Sequence, residues 1–253
     1  MRGRTRRRET ADDREPLWAE KFSTEIDAYQ TFATTPPPVL VPALIAADNR
    51  HKVLLVEHIR GHSPVQSRDR FPPQALDPAH LTAMLTAMTG LGRWKPPAGA
   101  FTRTPDHPAR LDRDHHQGLT IPQEHRALTD LLHRAGTVLV PAHGDPLPTN
   151  FVVRPDGQVT VIDWEHAGHH LPGHDLAVLW TVLAATPQAR PQIEELAAAE
   201  PPSARAAFTL NRAMLLLRER RNHRAVPPSP WRDERLAAID RDWHNVRELL
   251  HTE

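Results

Sequence analysis

The segment AHGDPLPTNFVVRPDGQVTVIDWEHAG, residues 141–167, holds three side chains suited to phosphate and metal chemistry: Asp145, Asn150 and Asp163. A carboxylate can orient a hydroxyl group and accept its proton. An amide oxygen and a second carboxylate suit Mg²⁺, a hard cation that takes one or two carboxylates with phosphate oxygens and water. Each residue alone is a common turn former, so chemistry follows only where the fold brings them together. The intervening sequence offers a way. FVVRP and QVTVID are two β-type runs around Asp156-Gly157, a strong hairpin signal. A two-residue loop sets Asn150 opposite Asp163, with Cβ atoms about 4.5–5.5 Å apart. A three-residue loop shifts that pairing by one. Asp145 lies on the loop that enters the hairpin.

The elements that must position this segment can be read from periodicity. Phe22, Ile26, Tyr29 and Ala33 have helical spacing, with Ser23 or Thr24 available as a cap. VLVPALIAA and KVLLVEHI predict two strands joined by a hairpin, the second fully buried. A loop follows Gly61. Asp77-Pro78 opens a helix whose stripe is Leu81, Met84, Leu85 and Met88, a core face. Residues 95–110 are Pro-rich and predict irregular chain. IPQEHRALTDLLHRAG is a helix closed by Gly136. After the hairpin, HDLAVLWTVLAAT, IEELAAAE, ARAAFTLNRAMLLLRERRNHR and the last 25 residues read as helices. Ile239, Trp243, Val246 and Leu250 form a packing stripe on the last.

The layout of an Asp, an Asn five residues on, and a second Asp beyond a hairpin is that of protein-kinase phosphoryl transfer. HGDPLPTN, VIDWEHAG and PGHDLAVLW, within a span of about 40 residues, resemble the aminoglycoside phosphotransferase and choline kinase-like family, small-molecule kinases with a two-lobed protein-kinase fold. The resemblance implies an α+β, protein-kinase-like bilobal fold. Residues 1–60 would form a shortened N-terminal lobe, and residues 61–253 a mostly helical C-terminal lobe. It implies Asp145 as the group acting on the acceptor and His143 as a brace of the catalytic loop. Asn150 and Asp163 would hold Mg²⁺, and Asp175 would brace the helix behind them. Glu57, His58 and Ile59 would form the hinge meeting the base of ATP or GTP. Glu25 would be the helix glutamate that pairs with a nucleotide-binding lysine. Lys21 is a candidate for that lysine, but it stands four residues earlier and shares a helix with Glu25 unless residues 18–22 form a strand. The departure from the family lies here: only some 24 residues precede Glu25, and Gly3 is the sole glycine in the first 60 residues. No phosphate-covering loop is evident.

The reaction so implied moves a γ-phosphoryl group to a hydroxyl of a small molecule: an aminoglycoside, amino alcohol, sugar or antibiotic intermediate. The rival is a catalytically silent, kinase-like binding protein. Composition narrows the remaining classes. The chain has 253 residues, with 31 basic and 31 acidic side chains, so no global field favours nucleic acid or anionic lipid. No apolar run is long enough to span a membrane. The absence of cysteine excludes disulfides and thiolate metal sites. A cytoplasmic protein fits, its oligomeric state open. MRGRTRRRETADDRE has no apolar run behind it and predicts a disordered tail rather than a secretory signal. EHAGHHLPGH concentrates His166, His169, His170 and His174 without the spacing of a zinc site. RERRNHR, residues 218–224, predicts a solvated basic face closing a helix. The mixed charge of the C-terminal helices does not suit a polycationic aminoglycoside.

Overall fold

A computed structural model describes residues 11–252. The first helix, α1 (Ala11–Thr34), packs Ile26, Ala28, Tyr29 and Phe32 inward. Residues 18–22 belong to this helix and form no strand. Of the basic N-terminal stretch read as a tail, residues 1–10 lie outside the described residues, and the chain is helical from Ala11. After α1 come β1 (Leu44–Asp48) and β2 (Val53–Val56), an antiparallel pair. The turn between them is tied to α1: Lys52 Nζ donates to Ser23 Oγ at 2.7 Å, and Ser23 Oγ donates to Asn49 Oδ1 at 2.8 Å. β2 is not fully buried, contrary to the sequence reading. It alternates, with Val53 and Leu55 exposed, because this sheet has two strands and a single helix behind it.

The larger part is helical. α2 (Pro78–Arg93) is capped by the Asp77 carboxylate, which accepts from Ala79 N–H at 2.7 Å, and its Leu81–Met84–Leu85–Met88 stripe is buried as expected. α3 (His107–His116) lies partly inside the stretch read as irregular. Asp106 and Pro108 start it: the Asp106 carboxylate accepts from Ala109 N–H, and Pro sits where no donor is needed. α4 (Pro122–Ala135) ends at Gly136. α5 (His174–Val182), α6 (Ala189–Ala198), α7 (Pro202–Arg224) and α8 (Pro230–Thr252) follow the hairpin. α7 runs through the middle, buried on every side from Ala206 to Leu217, with α4, α5 and α8 around it.

Two small antiparallel pairs lie between α4 and α5. β3 (Val140–Ala142) pairs with β6 (Gly168–His170), and β4 (Phe151–Val153) pairs with β5 (Val159–Val161). The β4–β5 hairpin is bonded on both flanks. His62 pairs with Val153, and Val161 N–H donates to Leu40 O at 2.8 Å. The chain on either side of the first hairpin is thereby stitched to the second.

The register of β4–β5 corrects the two-residue expectation. Phe151 faces Val161 and Arg154 faces Gln158, so the loop is Pro155-Asp156-Gly157. A two-residue loop would make Pro155 and Gln158 the hydrogen-bonded pair closing the turn. Proline has no N–H to give. Arg154 takes that place instead: its N–H donates to Gln158 O at 2.8 Å and its carbonyl accepts from Gly157 N–H at 2.9 Å.

One aromatic cluster joins α1 to the helical part. The Phe32 ring lies 4.6 Å from Trp164, 6.0 Å from Trp94 and 6.1 Å from Phe101. Replacing Phe32 by Ala should cost about 3–5 kcal/mol. Chemical denaturation of the two proteins would check this, and a loss below about 1 kcal/mol would show that the cluster does not secure α1.

Candidate functional site

The loop after β3 is held by a buried carboxylate. Asp175, in the first turn of α5, accepts from His143 N–H at 2.8 Å and from Gly144 N–H at 2.9 Å. The His143 ring is fully buried. Its Nε2 lies 2.9 Å from Ile162 O and therefore carries the proton, leaving Nδ1 to accept from Asp145 N–H at 3.4 Å. Burial lowers its pKa and keeps it neutral. Gly144 has φ +86°, and a Cβ there would stand 2.1 Å from the His166 carbonyl oxygen. Only glycine lets this loop pass so close to the segment after β5. His174 Nε2 meets Gly144 O at 3.2 Å and completes the frame.

Asp145 comes out of this loop into a cluster of arginines. Arg70 binds it through both terminal nitrogens, at 2.7 and 3.0 Å, and Arg218 stands 4.0 Å away. Burial alone would raise the Asp145 pKa, but the Arg70 hydrogen bonds and charge outweigh it and hold the carboxyl below its ordinary value. Arg70 also reaches the buried Glu219 at 3.1 Å, and Arg218 reaches the same carboxylate at 2.9 Å. RERRNHR is thus not a solvated face. It continues a helix buried on all sides, so Arg218 and Arg221 turn inward onto Asp145, Glu219 and Asp114.

Asn150 ends a short 3₁₀ turn, and its Nδ2 donates to Asp145 O at 3.0 Å. With the shifted register its main chain faces Ile162, whose N–H donates to Asn150 O at 3.0 Å. Asp163 follows with φ +67°, a left-handed conformation that Asp tolerates. That turn after β5 brings its side chain near Asn150, whose amide favours the charged carboxylate. The two residues are thus neighbours at the end of the hairpin, through a register shifted by one from the expected pairing. Burial first, then the negative charges of Glu165 and Asp145, raise the Asp163 pKa. Burial and the charge of Asp163 push the Glu25 carboxyl up to about 7, against the lowering effect of a hydrogen bond from the Trp164 main chain. The Asp163 carboxyl thus stands in the field of three others, those of Glu25, Glu165 and Asp145. A nearby cation would offset that field, and an amide oxygen with a carboxylate is a donor set a hard cation takes together with phosphate oxygens and water, so Asn150 and Asp163 fit one.

Lys21 and Glu25 both point from α1 toward this centre. Lys21 Nζ bonds Glu165 Oε1 at 2.8 Å and lies 3.2 Å from His166 Nε2. It pairs with the segment after Asp163 and not with Glu25. Glu57, His58 and Ile59 lie outside this cluster, in extended chain after β2. Glu57 N–H donates to Ala43 O at 2.8 Å, and residues 57–60 with Arg154 and Pro155 line a cleft of about 360 Å³. Among the described residues no cluster of three or more His, Asp or Glu has metal-site geometry. His170 instead stacks on His174, their ring centroids 4.1 Å apart. Arg70 escaped the sequence reading because nothing local marks a loop arginine as inward. A signal for Arg218 did exist: AMLLL, residues 213–217, is an apolar run long enough to cover every face of a helix, so the charges that follow it stay near the core.

The fold is a protein-kinase-like, two-lobed one, with a small first lobe and a helical second. Residues 4–209 match the model of the phosphotransferase enzyme family, APH, and the chain belongs to that family. Solved structures agree on the fold. A choline/ethanolamine kinase family protein from Mesorhizobium loti aligns with a TM-score of 0.65 at 17% identity, covering 92% of this chain and 85% of that one. Choline kinase LicA from Streptococcus pneumoniae aligns with 0.59 at 14% identity, over 90% and 83%. Aminoglycoside 2'-phosphotransferase-IIIa, in its GDP complex, aligns with 0.58 at 14% identity, over 90% and 83%. No curated protein matches at the sequence level. Among the described residues no helix is long and apolar enough to cross a membrane.

Burial, the nearby Arg110 charge and His174 lower the His107 pKa to about 4, while burial and neighbouring arginines lower that of His174 to about 4. Between pH 6.5 and 4 the unfolded chain binds a proton at His107 that the native chain does not, so stability from this group falls as pH falls. Going from pH 7 to pH 5 should cost about 2 kcal/mol at His107. A His107→Gln variant should therefore lose less melting temperature than the parent over that range. Equal losses would show that His107 titrates normally.

Proposed function

We propose that the chain transfers the γ-phosphoryl group of MgATP or MgGTP to a hydroxyl of a small molecule. The observation that carries this reading is the meeting of Asp145, Asn150 and Asp163 at the open end of the β4–β5 hairpin, on a framework of the phosphotransferase family. Residues 1–60 act as the shortened first lobe and residues 61–253 as the second, with Glu57, His58 and Ile59 as the hinge that meets the base. The cleft beside the hinge supports that assignment. A cytoplasmic location fits the use of a nucleoside triphosphate.

Asp145 receives the acceptor hydroxyl. Arg70 occupies one lone pair on each carboxylate oxygen, and a carboxylate offers about four such sites, so acceptor capacity remains. The low basicity that Arg70 imposes suits orientation of the hydroxyl better than early removal of its proton. A loose phosphoryl-transfer transition state asks mainly for positioning and charge stabilisation. His143 positions Asp145 through its ring contacts with the loop. Asn150 and Asp163 would hold Mg²⁺, which when bound neutralises charge on the transferring phosphoryl group. Lys21 and Glu25 tie α1 to the segment around Asp163, and Lys21 is the cation available there to phosphate oxygens.

A catalytically silent binding protein is the second reading. It is favoured by the Lys21–Glu165 contact in place of a Lys21–Glu25 pair and by the two-stranded first sheet. Calorimetry with ATP and GTP, with and without Mg²⁺, separates the two. Asp163→Ala should remove the Mg²⁺-dependent part of nucleotide affinity, and an unchanged affinity would sink the metal assignment. Asp145→Asn should keep nucleotide binding and lower kcat by about 10²–10⁴-fold. Near-normal turnover would take Asp145 out of the chemistry.

A further inference from the structure

Beside Asp145 lies a small cleft whose charge is one-sided. It is about 160 Å³ in volume and is lined by Arg110 and Arg113 of α3, Arg218 and Arg221 of α7, His107 and His174, with Asp114 as its one acidic group. Two of these residues reach the catalytic loop: Arg218 stands 4.0 Å from Asp145 Oδ1, and His174 touches Gly144 O. Asp114 is already engaged by Arg221 and Arg113. Arg218 shares Glu219 with Arg70. Among the described residues the Arg110 side chain has no hydrogen bond or ion pair. It is half-buried beside Arg113, Arg103 and Arg218, and burial with these three charges lowers its pKa against the opposing pull of Asp114.

Such an arrangement opposes folding. Crowded, partly desolvated cations destabilise a protein unless something anionic joins them. The histidines report the same field. His107, His170 and His174 are all held neutral by burial and by neighbouring cations, and both ring nitrogens of the buried His170 lack a partner. Arg218 and Arg221 lie beyond residue 209, where the family match ends, while Arg110, Arg113, His107 and His174 lie within it.

We propose that the acceptor carries, besides the hydroxyl that is phosphorylated, a carboxylate or phosphate group that docks on Arg110 and Arg218 in this cleft. The inference rests on the phosphotransferase reading and names its substrate class: small anionic hydroxyl compounds, not polycationic aminoglycosides or amino alcohols. Arginine presents a planar fork of donors that matches an oxyanion. With the anion in the cleft, the hydroxyl a few bonds away reaches Asp145. Its oxygen bonds the γ-phosphorus as the bond to the β–γ bridging oxygen breaks. The hydroxyl proton passes to Asp145 and on to water, and the nucleoside diphosphate leaves with the bond's electron pair.

The test uses the full chain and its Arg110→Gln variant, titrated calorimetrically with inorganic phosphate and with glycerate. Both anions should bind the parent about tenfold or more tightly than the variant. The variant should melt no lower than the parent, because it removes an unpaired cation from among cations. Equal anion affinity for the two proteins would overturn the proposal. A variant that melts well below the parent would also overturn it, since Arg110 would then be structural. Turnover is read with glycerate, glycerol 3-phosphate, glycerol and choline under MgATP and MgGTP. A higher kcat/KM for the two anionic acceptors is expected, and the better of them identifies the oxyanion; a higher value for glycerol or choline overturns the assignment. Nucleotide titrations on the same samples read the phosphotransferase assignment separately. Nucleotide binding without anion binding defeats the cleft alone. Anion binding that Arg110→Gln removes, with no nucleotide binding, defeats the acceptor role and the reading beneath it.

Discussion

The Asp175 carboxylate, buried in the first turn of α5, fixes the loop on which everything chemical rests. It is costly to bury, and burial raises its pKa, but it takes two main-chain N–H groups that would otherwise have no partner in the interior. With His143 and Gly144 fixed, Asp145 has one direction to point. The His143 ring then passes the constraint to β5 through Ile162 O. The loop before the hairpin and the segment after it are thus held to each other by the His143 side chain on the Ile162 carbonyl and by Ile162 N–H on the Asn150 carbonyl. Asn150 and Asp163 are brought together by that framework and not by their own attraction, since like charges around them oppose it.

Charge is arranged in two opposed zones around this framework. On one side Glu25, Asp163 and Glu165 converge, with Lys21 as their cation. On the other side Arg70 and Arg218 converge on Asp145 and Glu219, and Arg110 stands beside Arg218 with Asp114 as its nearby anion. Asp145 sits on the border and belongs to both. A transferring phosphoryl group has a need on each side: its charge must be neutralised, and its acceptor must be held. The net charge of zero conceals this segregation, because a sum over the chain carries no information about where charges meet.

The legible part of the protein was the part written in local patterns. The helices from α2 onward followed apolar stripes and caps, except α3, which was not read at all because its Asp-His-Pro cap lay at the end of a Pro-rich stretch. The three polar residues of the hairpin region were legible because their types and spacing are set by chemistry. What escaped depends on distant partners. The hairpin register turned on one missing N–H at Pro155. The exposure of Val53 and Leu55 depended on how many strands stand beside them, which a strand's own sequence does not encode. The inward arginines of α7 were hidden by the habit of placing charge outside; only the all-round apolar character of the preceding turns contradicted it.

The β1–β2 pair has a consequence for how the protein behaves in time. An isolated two-stranded sheet is marginally stable in water, and here Ile45, Val53 and Leu55 remain exposed while side chains of α1 hold the turn. Little apolar burial separates its closed state from a locally open one, so it lies at the low end of the molecule's opening free energies. The helical part, knit around α7, lies at the high end. A ligand held between them must supply the ordering free energy of the weaker unit, and its apparent affinity falls by the fraction of molecules already ordered. Warming therefore loosens the small sheet before the rest of the chain yields.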